Sequence, residues 1–559
     1  MDKKTFCPEK KDRKKKIRSI IQGIILTALL IFIFNALLSF KKYEPYDTTG
    51  VSDNADSGFI AVSYFGVDRN GTDTLISTDR LNEHLKALTD NGYVTITQQD
   101  IIDYYTKGKK LPKKALFLIF EDGRTDTAIF SQKITEEYNL KSTILTYADR
   151  FEKDDPKFLQ PSDLKKLEKS TYWELGTNGY RLEYINVFDK KENFLGRMTS
   201  LEFSKKSDEI GRDYNHYLMD FIRDEDNVPV ESYYEMKNRI DYDYETSSKI
   251  YNDKLGRNPD LYILMHSNTG QFATNKKASK INEKWIKDLY KMNFNREGYA
   301  LNTLDSSIYD LTRIQPQAYW PTNHLLMRIY DDTKQNMDFV TGDEKKAADF
   351  KEIKGKAEFE DDTVTITSEP KSNGLFKLLN SDNYNDIDLS VKLQGNIIGS
   401  QSIYIRSNDD QSNSVSVELT NNIITVKDKS DNDEKVLFSK ELDADKEEFD
   451  IKDPGYREVH VTLDDNKLSL DVDNVNIADN VEVSNNDKGA VYLESKWTDY
   501  GYSQRNLADD VYDGVFKELD IKDISGNELY SNALKGKDKV IYSVKNYFNR
   551  IVNWFIINL

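Results

Sequence analysis

The sequence has little of several residues on which small, cross-linked or repetitive proteins depend. Among 559 residues there are one cysteine, 11 prolines and 26 glycines. The lone Cys7 excludes a disulfide framework and a cysteine zinc cluster. Few prolines and glycines argue against a fibrous or low-complexity chain, and 12% aromatic residues are too many for a disordered one. At this length we expect two or three packed domains.

Positive charge is scarce outside the N-terminal segment. Residues 1–42 carry 11 lysines and arginines and three acidic residues, a net charge of +8. Because the whole chain has a net charge of −18, the remaining residues carry −26. An acidic surface of this kind repels phosphate backbones, so nucleic acid is not expected as a partner.

One long uncharged run, Ser19 to Phe40, contains 22 residues. A bilayer core requires ~20 apolar residues in a helix, so this run predicts a transmembrane helix at 19–40. More cations precede it than follow it, which predicts a cytoplasmic basic tail at 1–18 and an extracytoplasmic body in the cell membrane, after a linker at 41–57. A cleaved signal peptide is the alternative, although its shorter apolar region and small-residue cleavage site fit less well.

Residues 537–559 also have apolar side chains at spacings of three and four, which predicts one apolar helical face. These residues are Val540, Ile541, Val544, Tyr547, Phe548, Ile551, Val552 and Phe555. Lysines and an arginine flank the face, so we predict an amphipathic helix that is interfacial, in contact with membrane lipid, or docks to a membrane protein. A helix packed on its own domain is the alternative.

Residues 58–310 alternate between strand-like and helix-like segments. Phe59 to Phe65 and Ala115 to Phe120 are short apolar runs typical of buried strands, and Thr78 to Asn91 has leucines at helical spacing. This βα alternation predicts a parallel sheet or barrel with functional residues on the loops at the strand C-termini.

Several stretches of this region resemble the NodB-type polysaccharide deacetylases in the same order. They are NGYVTIT (Asn91 to Thr97), KKLPKKALFLIFEDG (Lys109 to Gly123), YWELGTNGY (Tyr172 to Tyr180), PDLYILMHSN (Pro259 to Asn268) and WIKDLYKMNFNREGYALNT (Trp285 to Thr303). The resemblance implies an α/β fold, a deformed β/α barrel. It also implies an enzyme that removes acetyl groups from a polysaccharide with the help of a divalent metal.

The residues at the implied catalytic positions depart from that family. The resemblance places Glu121 at the position of the catalytic base, Asp122 at that of the metal-ligating aspartate, and His266 at that of the general acid. The two expected histidine ligands are replaced by Asn178 and Leu182. A leucine cannot ligate a metal and an amide replaces imidazole poorly on zinc, so we expect no bound metal or other cofactor.

We therefore expect a barrel in which Glu121, Asp122 and His266 are vestigial catalytic residues. The candidate substrate-binding residues are Asn178, Tyr180, Arg181 and Tyr64. A remodelled active site is the alternative, with His216 or His324 as replacement ligands, although no spacing in the sequence supports either histidine.

The texture changes after a predicted connector at 311–333. Residues 334–532 contain short segments with alternating apolar residues, separated by Asn, Asp and Gly, which predicts an antiparallel all-β jelly-roll sandwich. Stretches such as SIYIRS, SVSVELT and GAVYLES resemble concanavalin A-like lectin and glucanase domains. No Glu-x-Asp-x-x-Glu strand of the glucanases occurs in it, so the resemblance implies binding or packing rather than hydrolysis.

Three functions remain open from the sequence. The first is a non-catalytic accessory subunit of a polysaccharide synthase, anchored in the membrane, which binds or guides the emerging polysaccharide chain. Its partner would be a membrane-embedded glycosyltransferase. The second is an active carbohydrate esterase or deacetylase with a remodelled metal site, and the third is a wall-binding structural protein.

Overall fold

The computed structural model describes residues 16, 18–20, 22–23, 41–47, 58–153, 155–207, 209–211, 214–264, 275–394, 399–420, 422–431, 433–442, 455–498 and 510–558. Met1–Glu44 and Pro45–Leu559 form two separate compact units. Most of the predicted transmembrane run, and His266, lie outside the described residues. Among the residues that are described, no helix is both long and apolar enough to cross a membrane.

The first part of the larger unit is built on a nine-stranded sheet. The strands in chain order are β1 (Phe59–Tyr64), β2 (Val67–Asp68), β3 (Ile76–Ser77), β4 (Val94–Thr95), β5 (Ala115–Phe120), β6 (Ser142–Thr146), β7 (Trp173–Thr177), β8 (Glu183–Phe188), β9 (Phe194–Thr199), β10 (Asn215–His216), β11 (Leu261–Ile263), β12 (Met292–Glu297), β13 (Leu301–Asn302) and β14 (Leu311–Arg313). The sheet has the order β13-β1-β5-β6-β7-β11-β12-β14, with β4 beside β5. Every pair is parallel except β13 with β1.

Backbone hydrogen bonds beyond β14 close this sheet on itself. The Ser63 N–H donates to the Ile314 carbonyl at 2.9 Å, and the Ile314 N–H donates to the Ala61 carbonyl at 3.0 Å. The closed sheet agrees with the predicted α/β barrel. A separate antiparallel sheet of order β10-β8-β9 is inserted after β7.

Helices follow most of the barrel strands. They are α1 (Thr78–Asp90), α2 (Gln98–Lys107), α3 (Thr125–Glu137), α4 (Pro161–Lys169), α5 (Ser200–Lys205), α6 (Tyr233–Leu255), α7 (Lys276–Leu289) and α8 (Thr322–Thr333), with a 3₁₀ turn at Ala148–Glu152. Local chemistry sets their ends. Thr97 and Ser232 form capping boxes with the third residues of α2 and α6. Gly108 and Gly256 end the same two helices in the left-handed conformation.

The predicted connector at 311–333 differs from the structure. β14 is a strand of the barrel sheet, and α8 is a helix in which every residue from Thr322 to Ile329 is buried. α8 packs against both α1 and the strands of the second domain. Because partners cover it on all sides, its sequence lacks the one-sided apolar pattern by which a surface helix is recognised. The link between the domains is therefore the short stretch after α8.

The second domain consists of two antiparallel sheets. It contains α9 (Glu344–Ala347), β15 (Phe350–Lys354), β16 (Lys356–Glu360), β17 (Thr363–Thr367), β18 (Asn373–Leu378), β19 (Ile387–Gln394), β20 (Gly399–Ser407), β21 (Ser414–Thr420), β22 (Ile423–Ser430), β23 (Asp433–Glu441), β24 (Arg457–Asp464), β25 (Lys467–Val472), β26 (Val475–Glu482), β27 (Ala490–Trp497), β28 (Asp513–Asp523), β29 (Glu528–Ser531) and the final helix α10 (Gly536–Asn558).

One sheet of this domain has the order β15-β18-β27-β20-β21-β22-β23, and the other β16-β17-β28-β19-β24-β25-β26 with β29 beside β28. Alternate residues of β19 are buried, from Ile387 to Leu393. They join one apolar cluster with residues of the opposite sheet, among them Ile403 and Val417. The two sheets therefore enclose a common core, as the period-two spacing predicted.

Candidate functional site

The carboxyl ends of the parallel strands bring together residues that are far apart in sequence. Glu121 follows β5, Tyr147 follows β6, Asn178 follows β7, and Arg313 is the last residue of β14. In a closed parallel sheet these ends share one face, which is where functional loops gather. The predicted positions Glu121, Asp122 and Asn178 thus lie in one region of the barrel.

Glu121 is fully buried and both of its carboxylate oxygens accept hydrogen bonds. Arg313 donates from Nε to Oε1 at 2.7 Å and from Nη2 to Oε2 at 3.3 Å. The Ser63 hydroxyl donates to Oε1 at 2.5 Å, and the Gln315 amide donates to the same oxygen at 3.3 Å. Arg313 is itself only 1% exposed. The carboxylate at the implied base position is therefore part of a buried ion pair.

Asp122 and Gly123 form a tight turn at the end of β5. Both have a positive φ, 67° and 61°. A side chain at Gly123 would place its Cβ 2.8 Å from the Leu145 carbonyl oxygen, so the close approach to β6 requires glycine. A non-glycine residue with φ above zero, such as Asp122, is strained by ~1–3 kcal/mol, and such residues cluster at functional sites.

The surroundings of Asp122 favour its neutral form. Burial raises the pKa of Asp122 to about 6. The positive charges of Arg150 and Arg124 oppose this shift, while Glu121 and Asp149 add to it. Asp122 therefore titrates close to neutral pH.

The two positions where the resemblance implies histidine ligands have structural roles. The Asn178 side-chain N–H donates to the Ile263 carbonyl at 2.8 Å, which ties β7 to β11. Leu182 packs against an apolar cluster that includes Tyr184 and Val187. Neither side chain supplies the imidazole nitrogen that the metal site of the family requires.

The structure adds buried polar groups that the sequence did not single out. The Tyr147 hydroxyl, Asp243 Oδ2 and Asn178 Oδ1 are buried and have no hydrogen-bond partner among the described residues. Burial raises the pKa of Asp243 well above its usual range, and Asp149 adds to the shift while Arg181 opposes it. These groups leave unsatisfied hydrogen-bonding capacity beside Asp122, which is costly unless a polar ligand meets it.

Aromatic side chains lie at the edge of this group. The Arg181 guanidinium lies 5.3 Å from the Tyr180 ring centroid and 5.1 Å from that of Tyr217. Tyr180 is partly exposed, and Tyr242 on α6 is 61% exposed. Burial raises the pKa of Tyr180, Arg181 opposes the shift, and Tyr242 adds to it from close by. Tyr180 and Arg181 thus lie together as expected, and Tyr242 joins them.

Tyr64, a predicted substrate-binding residue, does not fit that role. Its side chain is 1% exposed and its ring stacks on Phe120 with centroids 5.8 Å apart. The hydroxyl pairs with Nδ1 of His84 at 3.2 Å. The difference arises because β1 is buried on both faces, so that its side chains cannot be assigned to a solvent-facing edge from alternation.

The two alternative histidines do not complete a metal site. His324 Nδ1 pairs with Asp513 of the second domain at 2.5 Å, and its ring stacks on Trp320. Nδ1 of His216 accepts a hydrogen bond from the Leu218 N–H at 3.2 Å. Within the described ranges, no three His, Cys, Asp or Glu side chains are grouped so as to hold a metal. The described residues therefore do not fit the metal that the resemblance implies.

Signals for the missed residues were uneven. Tyr147 and Asp149 directly follow a predicted strand, and this position alone marks residues for attention. Asp243 lies in the middle of α6, where nothing in the local sequence marks an acidic residue as buried. Arg313 lay in a stretch interpreted as a connector.

No protein-family model matches the chain. Over 75 residues, which are 13% of this chain and 27% of the relative, the chain is 31% identical to YxkH of Bacillus subtilis (strain 168), whose name describes a polysaccharide deacetylase. This segment is similar to a polysaccharide deacetylase. The match thus spans about a quarter of the relative, and we call the barrel the deacetylase-like domain.

Solved structures match both domains. A de-N-acetylase from Aggregatibacter actinomycetemcomitans is 18% identical, with a TM-score of 0.37, and the match covers 48% of this chain and 99% of that one. A carbohydrate-binding module from Bacillus subtilis is 10% identical, with a TM-score of 0.24, covering 31% of this chain and 95% of that one. Together with the strand order, the comparisons support a deacetylase-like domain followed by an all-β domain.

Proposed function

We propose that the deacetylase-like domain binds a polysaccharide without hydrolysing its acetyl groups, and that the protein is a membrane-anchored accessory subunit of a polysaccharide synthase or export complex. The observation that carries the proposal is the role of Asn178 and Leu182. One ties two strands together and the other packs in an apolar cluster, at the positions implied for metal ligands. The buried polar groups around Asp122 remain, so a hydroxyl-rich ligand fits better than a reaction.

The proposed ligand is a neutral or weakly charged sugar chain. Sugar hydroxyls both donate and accept, and they match the unpaired Tyr147 hydroxyl, Asp243 Oδ2 and Asn178 Oδ1. Tyr180 and Tyr242 provide ring faces at the edge of the site, where apolar sugar faces pack. Acidic and basic groups alternate around the site, which gives no large charge of one sign to select a polyanion.

The membrane and synthase parts of the proposal rest on the N-terminal segment of the chain. The run from Ser19 to Phe40 and the preceding cations support an anchor with the acidic body outside. A membrane glycosyltransferase that extends a sugar chain would deliver it to this body. The proposed partner is therefore a membrane-embedded synthase, with the polysaccharide itself as the ligand.

A specific observation favours one alternative, an active esterase with a remodelled metal site. Asp122 keeps the implied ligand position, has a strained backbone, and has a pKa of about 6. Such a combination is typical of functional residues. Metal content separates the two functions, because the esterase requires a bound metal and the binding protein does not.

The first test measures metal and glycan together on the purified full chain. Elemental analysis is expected to find well below one transition metal per chain, and acetylated β-linked oligosaccharides are expected to bind without losing acetyl groups. Tyr242→Ala should weaken binding up to about tenfold, since one lost aromatic contact is worth ~0.5–1.5 kcal/mol. Tyr234→Ala is the matched control, because Tyr234 is 74% exposed on the same helix.

The opposite result is equally clear. One tightly held transition metal per chain, with acetate release that disappears in both Asp122→Ala and His266→Ala, would establish the esterase. Equal binding by the Tyr242→Ala and Tyr234→Ala variants would remove the proposed glycan site at the edge of the barrel.

A further inference from the structure

The final helix, α10, exposes most of its described apolar side chains. Val540, Val544, Tyr547 and Phe548 are each more than 60% exposed. Ile541 is 64% exposed in the same helix. Burying one such side chain is worth roughly 1.5–3 kcal/mol, so leaving five in water forgoes a large stabilisation. The alternative that α10 packs its apolar face on its own domain does not fit this exposure.

The exposed residues occupy one side of α10. At 100° per residue, Val540, Val544, Tyr547 and Ile551 fall within one narrow arc. Tyr542 lies on the opposite side and is partly buried. The pKa of Lys517 on β28 is raised, against the effect of its burial, by Asp362 and then by Tyr542. α10 therefore meets the sandwich through its polar side and turns its apolar side outward.

The charge of α10 is opposite to that of the domains before it. Residues 536–558 carry three lysines, one arginine and one aspartate, a net charge of +3, in a chain whose net charge is −18. Lys539 and Arg550 lie on the side away from the apolar arc and are exposed. An anionic surface would attract this helix and repel the acidic domains. A second copy of this acidic chain offers no such match.

We propose that α10 lies in the plane of a lipid bilayer surface containing anionic lipids, with its apolar side in the acyl region and its cations among the headgroups. A helix with cations on its polar side and aromatic and aliphatic residues on the other is expected to insert ~5–10 Å deep rather than to span. Tyr547, at the margin of the apolar arc, is the amphipathic residue type that bilayer interfaces favour. This attachment is independent of whether the barrel binds a glycan.

The test reads the depth of individual positions of α10 in the full chain reconstituted into vesicles. On a Cys7→Ser background, spin labels are attached at Val544→Cys and Phe548→Cys, and as matched controls at Ser543→Cys and Asn549→Cys on the polar side. In phosphatidylcholine vesicles containing phosphatidylglycerol, the first two labels should be relaxed by oxygen and protected from an aqueous nickel chelate. The two controls should show the reverse. The predicted N-terminal anchor does not affect this comparison, because each label reports its own surroundings.

Each other outcome counts against the proposal. If all four labels are reached by the nickel chelate, α10 stays in water. If the Val544→Cys and Phe548→Cys labels are shielded from both reagents, a protein surface covers the helix instead. The charge argument has its own arm. Omitting phosphatidylglycerol, or combining Lys539→Glu with Arg550→Glu, should lower the protection several-fold, and unchanged protection would contradict attraction to anionic lipid.

Discussion

At the scale of single residues, the deacetylase-like domain keeps the backbone of a site and changes the chemistry of its side chains. Asp122 retains the turn with positive φ at the end of β5. Asn178 uses its amide for a strand-to-strand hydrogen bond, and Glu121 is held by Arg313. A carboxylate that is paired this way is a poor general base, because taking up a proton would break a buried ion pair.

The pH dependence of stability tests the environment of Asp122. Its folded pKa, about 6, lies above the ordinary value of 3.8, so the folded protein holds this proton more tightly than the unfolded chain. The resulting stabilisation is complete below pH ~4 and is lost as the pH rises through ~6. In Asp122→Asn this loss should disappear, which makes the variant roughly 1–3 kcal/mol more stable than the native protein at pH 7–8.

Urea unfolding at a series of pH values measures this effect. Asp253→Asn, an exposed position on α6, should keep the native pH profile. Added zinc should leave both midpoints unchanged if Asp122 holds no metal. A native profile that is the same in Asp122→Asn would show that this carboxyl is not perturbed.

At the scale of elements, the barrel is closed by contacts between strands that are distant in sequence. β5 ends at Phe120 and β14 ends at Arg313, and the pair formed by Glu121 and Arg313 bridges 192 positions of the chain. The backbone bonds of Ile314 to β1 reinforce the same closure. A side-chain pair at this point therefore supports the last strand of the barrel.

Removing one partner of the pair should destabilise the barrel strongly. Arg313→Met leaves a buried carboxylate without its counter-ion, which costs ~3–5 kcal/mol. Combining it with Glu121→Leu should recover most of that loss, since no buried charge remains. The free energy of unfolding in urea measures both.

An exposed ion pair supplies the control for this prediction. Arg257 and Glu168 lie 2.6 Å apart with half-exposed side chains, so Arg257→Met should change stability by less than ~1 kcal/mol. If the Arg313→Met and Arg257→Met variants lose equal stability, the buried pair does not hold β14.

At the scale of the whole molecule, the deacetylase-like domain and the sandwich share a polar junction. Asn91 exchanges two hydrogen bonds with the backbone of Asp338, at 2.9 and 2.7 Å. Asn323 exchanges two with Val340, both at 2.8 Å. The pair of His324 and Asp513 joins α8 to β28. These contacts fix the link between the domains along its length.

The junction should make the two domains unfold together. Combining Asn91→Ala with Asn323→Ala leaves backbone groups of the link unsatisfied, at a cost of ~1–3 kcal/mol for each site. Scanning calorimetry should then resolve two transitions where the native protein has one. Asn252→Ala, an exposed amide on α6, is the control and should retain a single transition. One unchanged transition in the double variant would mean that other contacts couple the domains.

The sequence by itself determined the features that depend on neighbouring residues. The βα alternation predicted the parallel sheet, and period-two spacing such as that of β19 predicted the antiparallel sandwich, because each pattern reports which side of one element is apolar. The resemblance placed Asp122 and Asn178 in one site. The same spacing rule found the apolar face of α10.

Only the tertiary structure decided what depends on contacts between distant parts of the chain. The pairing of Arg313 with Glu121, the burial of Asp243 inside α6, and the burial of α8 on all sides are invisible locally, because each requires a partner brought in by folding. Whether the face of α10 is covered is likewise a property of the folded chain. Burial and pairing, rather than residue type, assign these side chains their roles.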